Sequence, residues 1–244
     1  MRFAILGHGK MGKLVEELLL QDKHEISVII DNEEDWKQKM EAFRTSDVAI
    51  DFSMPSVAVA NMFRAFENHI PIVVGTTGWL DRYAEVRDYC EKHCASLVYG
   101  SNFSIGANLF MQLNKELAML MEPQSQYSAS VEETHHTEKK DAPSGTAIRL
   151  SEDLLQIVKR YTQWKLTDKP AANGILPVQA HREDAVPGIH TIHWDSPEDE
   201  IIITHTAHNR KGFARGAIKA AIWLTRHSGI YDFQRIALEL NNER

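Results

Sequence analysis

Phe3-Ala4-Ile5-Leu6-Gly7-His8-Gly9-Lys10-Met11-Gly12 decides the fold. The four apolar residues read as a short buried strand. The glycines then follow as G-x-G-x-x-G, and the apolar positions from Leu14 to Leu20 recur at helical spacing. Between a strand and a helix, each glycine has a task. Gly7 makes the tight turn, Gly9 lets the backbone approach a pyrophosphate, and Gly12 allows helix and strand to pack closely. A second strand, Ile26 to Ile30, ends at Asp31, where a carboxylate can accept hydrogen bonds from ribose hydroxyls. A glycine triplet alone is a weak signal. Triplet, strand, helix and terminal acid together predict a nicotinamide dinucleotide site built from Gly7, Gly9, Gly12 and Asp31.

Outward from this unit the alternation continues. Val48 to Phe52 is expected as a strand, Ser56 to Asn68 as a helix, Ile72 to Val74 as a strand, Leu80 to His93 as a helix and Leu97 to Tyr99 as a strand. Such alternation predicts an α/β, Rossmann-type doubly wound parallel sheet, whose ligand crevice lies at the strands' carboxyl ends. Phe52-Ser53-Met54-Pro55, Gly75-Thr76-Thr77-Gly78 and Gly100-Ser101-Asn102-Phe103 are loops at those ends, although each taken singly is also ordinary turn chemistry.

From about Ser104 the pattern changes. Leu109 to Met121 reads as a helix and Tyr127 to Thr134 as a strand. After a polar connection, Ile175 to His181, Gly188 to Trp194 and Glu200 to Ala207 read as consecutive strands. This predicts an α+β domain with a mostly antiparallel sheet. Ala214 to Arg226 is then an apolar helix, and a short tail follows.

Within the second part lies Glu132-Glu133-Thr134-His135-His136-Thr137-Glu138-Lys139-Lys140-Asp141-Ala142-Pro143-Ser144-Gly145-Thr146-Ala147. Pro143 and Ser144 are residues of a helix start, and Gly145 leaves the backbone N–H groups uncovered. Ala147, Leu150, Leu154, Ile157 and Tyr161 extend the helix to about Tyr161. Proton donors, cationic side chains and a helix N-terminus that attracts anions thus fall together, a combination suited to a small acidic molecule. The plain alternative is a solvated histidine pair beside an ordinary helix cap.

Composition narrows the classes. The 244 residues are 43% hydrophobic and 25% charged, with a formal net charge of −7. That balance suits a soluble globular chain and argues against nucleic-acid binding. An anionic substrate would need a locally positive site. Met1-Arg2 leads straight into a strand without a secretory signal, and no apolar run approaches a membrane span. Cys90 and Cys94 match no metal or redox spacing, so no metal site is expected and both read as reduced cytoplasmic thiols.

Taken together, these motifs resemble the 4-hydroxy-tetrahydrodipicolinate reductase (dihydrodipicolinate reductase) family over essentially the whole length. The glycine triplet with its Met-Gly, Gly75-Thr76-Thr77-Gly78 and Asn102-Phe103-Ser104-Ile105-Gly106 carry the resemblance. So do His135-His136-x-x-Lys139-x-Asp141-Ala142-Pro143-Ser144-Gly145-Thr146-Ala147, Arg182, Gly188-Ile189-His190, Thr204-His205 and Phe213-Ala214-Arg215-Gly216-Ala217. The glycine loop is one residue shorter than in many members, and Asn209 stands where Ser is common.

The resemblance implies a dinucleotide-binding domain at 1–103 and 211–244 and a substrate-binding and oligomerisation domain at 104–210, assembled as a homotetramer. It implies reduction of a cyclic imine dicarboxylate by NADH or NADPH in diaminopimelate and lysine biosynthesis. His135 and Lys139 would be the catalytic proton donors, and mutual crowding of His135, His136 and Lys139 would disfavour charge on each. His136, Ser144, Gly145 and Thr146 would bind a substrate carboxylate. The cofactor set would add His8, Lys10, Met11, Gly75, Thr76, Thr77, Gly100, Ser101, Asn102 and Phe103. NADH is expected to be preferred, because Asp31 would repel a 2′-phosphate and Asn32-Glu33-Glu34-Asp35 adds acid with no Lys or Arg to offset it. Two other readings stay open: a related two-domain dehydrogenase, such as an aspartate-semialdehyde dehydrogenase with a nucleophilic cysteine, and a non-catalytic nicotinamide sensor.

Overall fold

The side chains of Phe3, Ala4, Ile5 and Leu6 are fully buried, and their alternation divides them between two cores. Phe3 and Ile5 of β1 (Arg2–Leu6) pack against Val15, Leu18 and Leu19 of α1 (Lys10–Gln21) and against α7 (Lys211–Leu224). Ala4 and Leu6 face the opposite core, with Trp36 and Phe43 of α2 (Glu33–Arg44), Met62 and Phe66 of α3 (Pro55–Glu67), and Val86 of α4 (Tyr83–Lys92). A strand buried on both faces must be covered by helices on both, and this is the doubly wound layer.

The computed structural model describes residues 1–170 and 174–240. It divides the chain into two units, Met1–Asn108 with Lys211–Arg244, and Leu109–Arg210. In the first, β2 (Glu25–Ile30), β3 (Val48–Asp51), β4 (Ile72–Val74), β5 (Leu97–Tyr99) and β11 (Ile230–Asp232) join β1 in the order β11-β5-β4-β3-β1-β2. Every pairing is parallel. The chain leaves β1 for β2 on one side and returns to β3 on the other. The loops after β1 and β3 therefore flank the point where the order reverses, the place where such sheets bind ligands.

Three elements here escaped the sequence. The stretch Glu33–Arg44 is so polar that its helical period rests on Trp36, Met40 and Phe43 alone, but Asn32 caps it by accepting from the Asp35 N–H at 2.9 Å. The expected tail contains β11 and α8 (Phe233–Ile236); Phe233 is fully buried against Phe103, with ring centroids 4.5 Å apart.

The second unit has a five-stranded sheet in the order β10-β9-β6-β8-β7, formed by β6 (Ser128–His135), β7 (Gln163–Leu166), β8 (Ile175–Arg182), β9 (Gly188–Asp195) and β10 (Glu200–Ala207). The antiparallel pairings lie on one side of β6, through β9 and β10, and on the other side β8 and β7 run parallel. The sheet is mixed rather than mostly antiparallel because β8 pairs in parallel with β6 instead of with β9, and β7, which arises from what the sequence offered as a polar connection, adds a second parallel pair. Part of that connection, 171–173, lies outside the described residues.

The residues of α5 (Ile105–Met121) from Leu109 onward and α6 (Gly145–Ile157) supply Phe110, Met111, Leu150 and Leu154 to a core with Val131, Val178, Ile192 and Trp194. The helix α6 stops four residues before Tyr161, at an extended Val158. Tyr161 is buried for another reason: its hydroxyl accepts the Ala129 N–H at 2.7 Å.

Candidate active site

The first unit builds a cradle from its turns. Gly7 has φ +85°, and a Cβ there would come within 2.6 Å of the Phe52 carbonyl oxygen, while a Cβ on Gly12 would lie 2.0 Å from the Gly7 carbonyl oxygen. Packing alone therefore requires these two glycines. Gly9 is different: a Cβ there would meet nothing within 4 Å, yet Gly9 is the N-cap of α1. An absent side chain that packing does not demand, over free helix N–H groups, fits the close approach of a pyrophosphate.

The other expected cofactor residues are placed as follows. The His8 N–H donates to Asp31 Oδ1 at 2.6 Å, and the His8 ring lies 2.6 Å from Glu16. Lys10 is exposed beside half-buried Met11, and Thr77 and Ser101 are exposed on their loops. Thr76 is buried and donates to Asp51 at 2.6 Å. The same carboxylate accepts from Ser53 N–H and Oγ and from Asn61, and so ties the loops after β3 and β4 together. Burial pushes the Asp51 carboxyl upward. Gly100 donates to the Val74 carbonyl, Asn102 accepts from Ser104 N–H at 2.9 Å, and Phe103 is buried. Phe103 thus supports its loop from the core.

The acids after Asp31 are not uncompensated. Glu33 pairs with Arg64 at 2.6 Å, Glu34 with Lys37 at 3.5 Å and Asp35 with Lys39 at 2.7 Å. Helical spacing supplies the two lysines and α3 the arginine, which sequence order alone did not reveal. Among the described residues of this stretch these pairs leave Asp31 as the acid outside them.

The second unit gathers the other predicted group. In β6 the buried positions alternate as Ala129, Val131, Glu133 and His135, so the apolar face turns polar toward the strand's end. Register does the rest: Glu133 stands opposite His190 of β9, and His135 opposite Arg182 of β8. The Glu133 carboxylate accepts the Ser144 N–H on both oxygens, at 3.1 and 3.0 Å. It lies 3.5 Å from Arg182, 3.5 Å from His135 Nδ1 and 3.8 Å from His190 Nε2. Ser144 Oγ is 3.2 Å from His190 Nε2 and caps α6 through the Ala147 N–H.

Beyond this cap Gly145 is exposed, and a Cβ there would meet nothing within 4 Å, as at Gly9. Thr146 and His136 are half-buried. Lys139 points its ammonium at Asp141, 2.8 and 2.7 Å from its two oxygens, so the cation is partly neutralised rather than simply crowded by histidines. The Lys139 partner in turn holds the Asp141 carboxyl below its ordinary range.

His135 and His190 are held toward the neutral form. Burial is the main cause for His135, with Lys139 and Arg182 adding to it and Glu133 opposing. His190 is driven down to about 3 by burial, then by His135, His205 and Lys139. Glu133, His135 and His190 bring ligand atoms within 4.8 Å of one another. A divalent ion there would have to displace the Ser144 N–H from Glu133 and face the Arg182 guanidinium, so the donor set is better satisfied as a hydrogen-bonded cluster.

The comparisons with known proteins meet this arrangement. The N-terminal region of dihydrodipicolinate reductase matches residues 1–103, and its C-terminal region matches residues 106–236. The chain belongs to the dihydrodipicolinate reductase family. A 4-hydroxy-tetrahydrodipicolinate reductase from Christiangramia forsetii is 42% identical over 240 residues, 98% of this chain and 99% of that one. The one from Rickettsia bellii is 32% identical, covering 91% and 88%. Among solved structures, dipicolinate-bound dihydrodipicolinate reductase from Paenisporosarcina sp. TG-14 shares the fold, with a TM-score of 0.77 at 20% identity over 97% of this chain and 99% of that one. Members of this family are nicotinamide-dependent oxidoreductases.

For this reductase-family chain, a thiol nucleophile finds no support. Cys90 is buried with its thiol pushed up to about 12, and Cys94 is exposed near the end of α4. Sequence reasoning passed over Glu133, and it gave Arg182 and His190 no role. Strand alternation puts Glu133 on the face of His135, a signal open to a period-two reading. The neighbours Arg182 and His190 depend on register.

Proposed function

We propose that this chain reduces 4-hydroxy-tetrahydrodipicolinate (dihydrodipicolinate) to tetrahydrodipicolinate with NADH or NADPH, within diaminopimelate and lysine biosynthesis. The observation that carries the reading is the pairing of a buried, neutral-leaning His135 with a capped helix start whose Gly145 has no packing partner. A proton donor and an anion cradle beside one another suit a dicarboxylate that must be held and protonated.

The bound nicotinamide supplies a hydride to the conjugated ring. This chain supplies the rest. Gly7, His8, Gly9, Lys10, Met11 and Gly12 hold the pyrophosphate end, Asp31 takes the ribose hydroxyls, and Gly75, Thr76, Thr77 and Gly100 to Phe103 line the remaining loops. His136 with Ser144, Gly145 and Thr146 binds a carboxylate, using the N–H groups and the positive end of α6. His135 and Lys139 deliver the proton to the carbon next to the reduced one. Asp31 favours NADH while tolerating NADPH. The enzyme works in the cytoplasm as a homotetramer assembled through 104–210; among the described residues no helix is long and apolar enough to cross a membrane.

The test is a coupled assay, following absorbance of NADH and NADPH with substrate made fresh by the preceding synthase. Oxidation that depends on that substrate is expected. Oxidation of neither cofactor would end the proposal and favour a nicotinamide-sensing role.

A further inference from the structure

Glu133 is a fully buried carboxylate that the proposed chemistry does not itself consume. Burying a charge is costly unless it is paired and hydrogen-bonded, so its surroundings explain why it is kept. Its partners are the Arg182 guanidinium and the Ser144 N–H at the N-cap of α6, which reaches both oxygens. One further group faces it without a hydrogen bond. His135 Nδ1 is buried, lies 3.5 Å from Glu133 Oε2 and has no partner of its own. The opposite ring nitrogen points toward Gly188, where an added Cβ would come within 3.1 Å of Nε2. His190 does not compete strongly for Glu133: its Nε2 is 3.8 Å away and nearer to Ser144 Oγ.

We infer that Glu133 is a positioning residue for proton delivery, fixing His135 with its hydrogen on Nδ1 and tying that ring to the first turn of α6. With Nδ1–H turned to the carboxylate, Nε2 takes up the second proton when the ring becomes an imidazolium, and that Nε2 proton is the one given up, leaving the neutral ring with its hydrogen on Nδ1. The N–H of Ser144 hangs on the same carboxylate, so proton donor and anion cradle share one anchor. The distance of 3.5 Å is long, and such contacts tighten when a charged partner forms, as an imidazolium would be here. A purely structural buried ion pair would need Arg182 alone and would leave the buried Nδ1 unexplained.

The charges around His135 are few and known. On its own strand is Glu133; on the following loop are Lys139 and Asp141; β8 brings Arg182 and β9 brings His190, with His205 of β10 opposite His190. Of these, Glu133 is the largest influence favouring the protonated ring.

This inference rests on the reading of His135 as proton donor, and the experiment separates the two. The full-length protein is labelled with 15N-histidine and the His135 signals are assigned by their loss in His135→Gln. In Glu133→Gln the population carrying hydrogen on Nδ1 should fall. The basic limb of the kcat–pH profile should move about one unit lower, because an opposite charge near the ring has been removed. The kcat should drop by about tenfold or more, a part of the roughly 10²–10⁴-fold that a positioned general acid contributes. Should Glu133→Gln be unfolded by circular dichroism, Glu133→Asp decides, with a partial loss of Nδ1–H population and a smaller shift in the same direction. An unchanged tautomer and an unmoved limb, with only the melting temperature or KM altered, would overturn the inference. Wild-type kcat in His135→Gln would instead remove the proton-donor reading, and this inference with it.

Discussion

Lys139 Nζ lies 2.8 and 2.7 Å from the two carboxylate oxygens of Asp141, itself largely exposed. An ion pair open to water holds its members by about 0–1 kcal/mol, so the ammonium can leave Asp141 for a substrate at little cost. Lys139→Met is expected to lower kcat by roughly 10²–10⁴-fold with little change in cofactor affinity, and His135→Gln to fall in the same range. The double variant should lose less than the product of the single losses if the two act as a unit. Asp141→Asn should cost less than about tenfold, consistent with a weak tether. Steady-state kinetics of the four proteins check this, and near wild-type turnover in Lys139→Met would remove Lys139 from the mechanism.

A Cβ at Gly145 would meet nothing within 4 Å. Gly145→Val should therefore fold normally, yet cover the N–H groups at the start of α6. Calorimetry should show weakened binding of pyridine-2,6-dicarboxylate and unaltered NADH affinity. Equal dicarboxylate affinity in variant and wild type would move the anion cradle elsewhere.

Asp31 accepts the His8 N–H, and among the described residues the ion pairs of this stretch fall on Glu33, Glu34 and Asp35. Two like charges about 4 Å apart cost on the order of 1 kcal/mol in water and about 4 near a protein surface. A 2′-phosphate should thus bind at least about tenfold more weakly than the bare ribose. Comparing kcat/KM for NADH and NADPH should show that preference, and Asp31→Ala should raise relative use of NADPH. An unchanged ratio would show that Asp31 does not face the ribose.

His190 sets a direction for acid stability. Its imidazole ordinarily titrates near 6.5 and is held down to about 3 in the fold, so the unfolded chain binds the proton and the folded chain resists it. The stability tied to this group is complete above about 6.5 and is lost progressively as pH falls toward about 3. At about 1.4 kcal/mol per pH unit, the full loss is a few kcal/mol. Burial holds His135 and His205 down as well, and both add in the same sense. Urea denaturation between pH 7 and 4 should show a shallower pH slope for His190→Gln than for wild type. Parallel slopes would mean that His190 is not the group resisting the proton.

None of the eight residues of β10, an edge strand, is buried, and Ile201 and Ile202 are 38% and 50% exposed. Apolar residues on an exposed strand invite a partner surface. Light scattering at micromolar concentration is expected to give four times the chain mass, and Ile202→Lys to shift the distribution toward smaller species. A monomer mass for wild type would overturn the assembly.

The glycine triplet, the alternation to Tyr99 and the stretch from His135 to Thr146 were legible because each carries local constraints. Turn geometry demands Gly7 and Gly12, period two and period 3.6 mark strands and helices, and Ser144 caps its own helix. The helix α2 was not legible because only Trp36, Met40 and Phe43 keep its period, nor was β11, whose three residues become a strand only by pairing with β5. Of the candidate site, the sequence by itself marked His135, Lys139 and the helix start. Only the tertiary structure decided that Glu133 joins Arg182 and Ser144: strand register, which no local pattern encodes, brings Arg182 from 49 positions on, and the chain between β6 and α6 returns the Ser144 N–H, 11 positions on, to the same buried carboxylate.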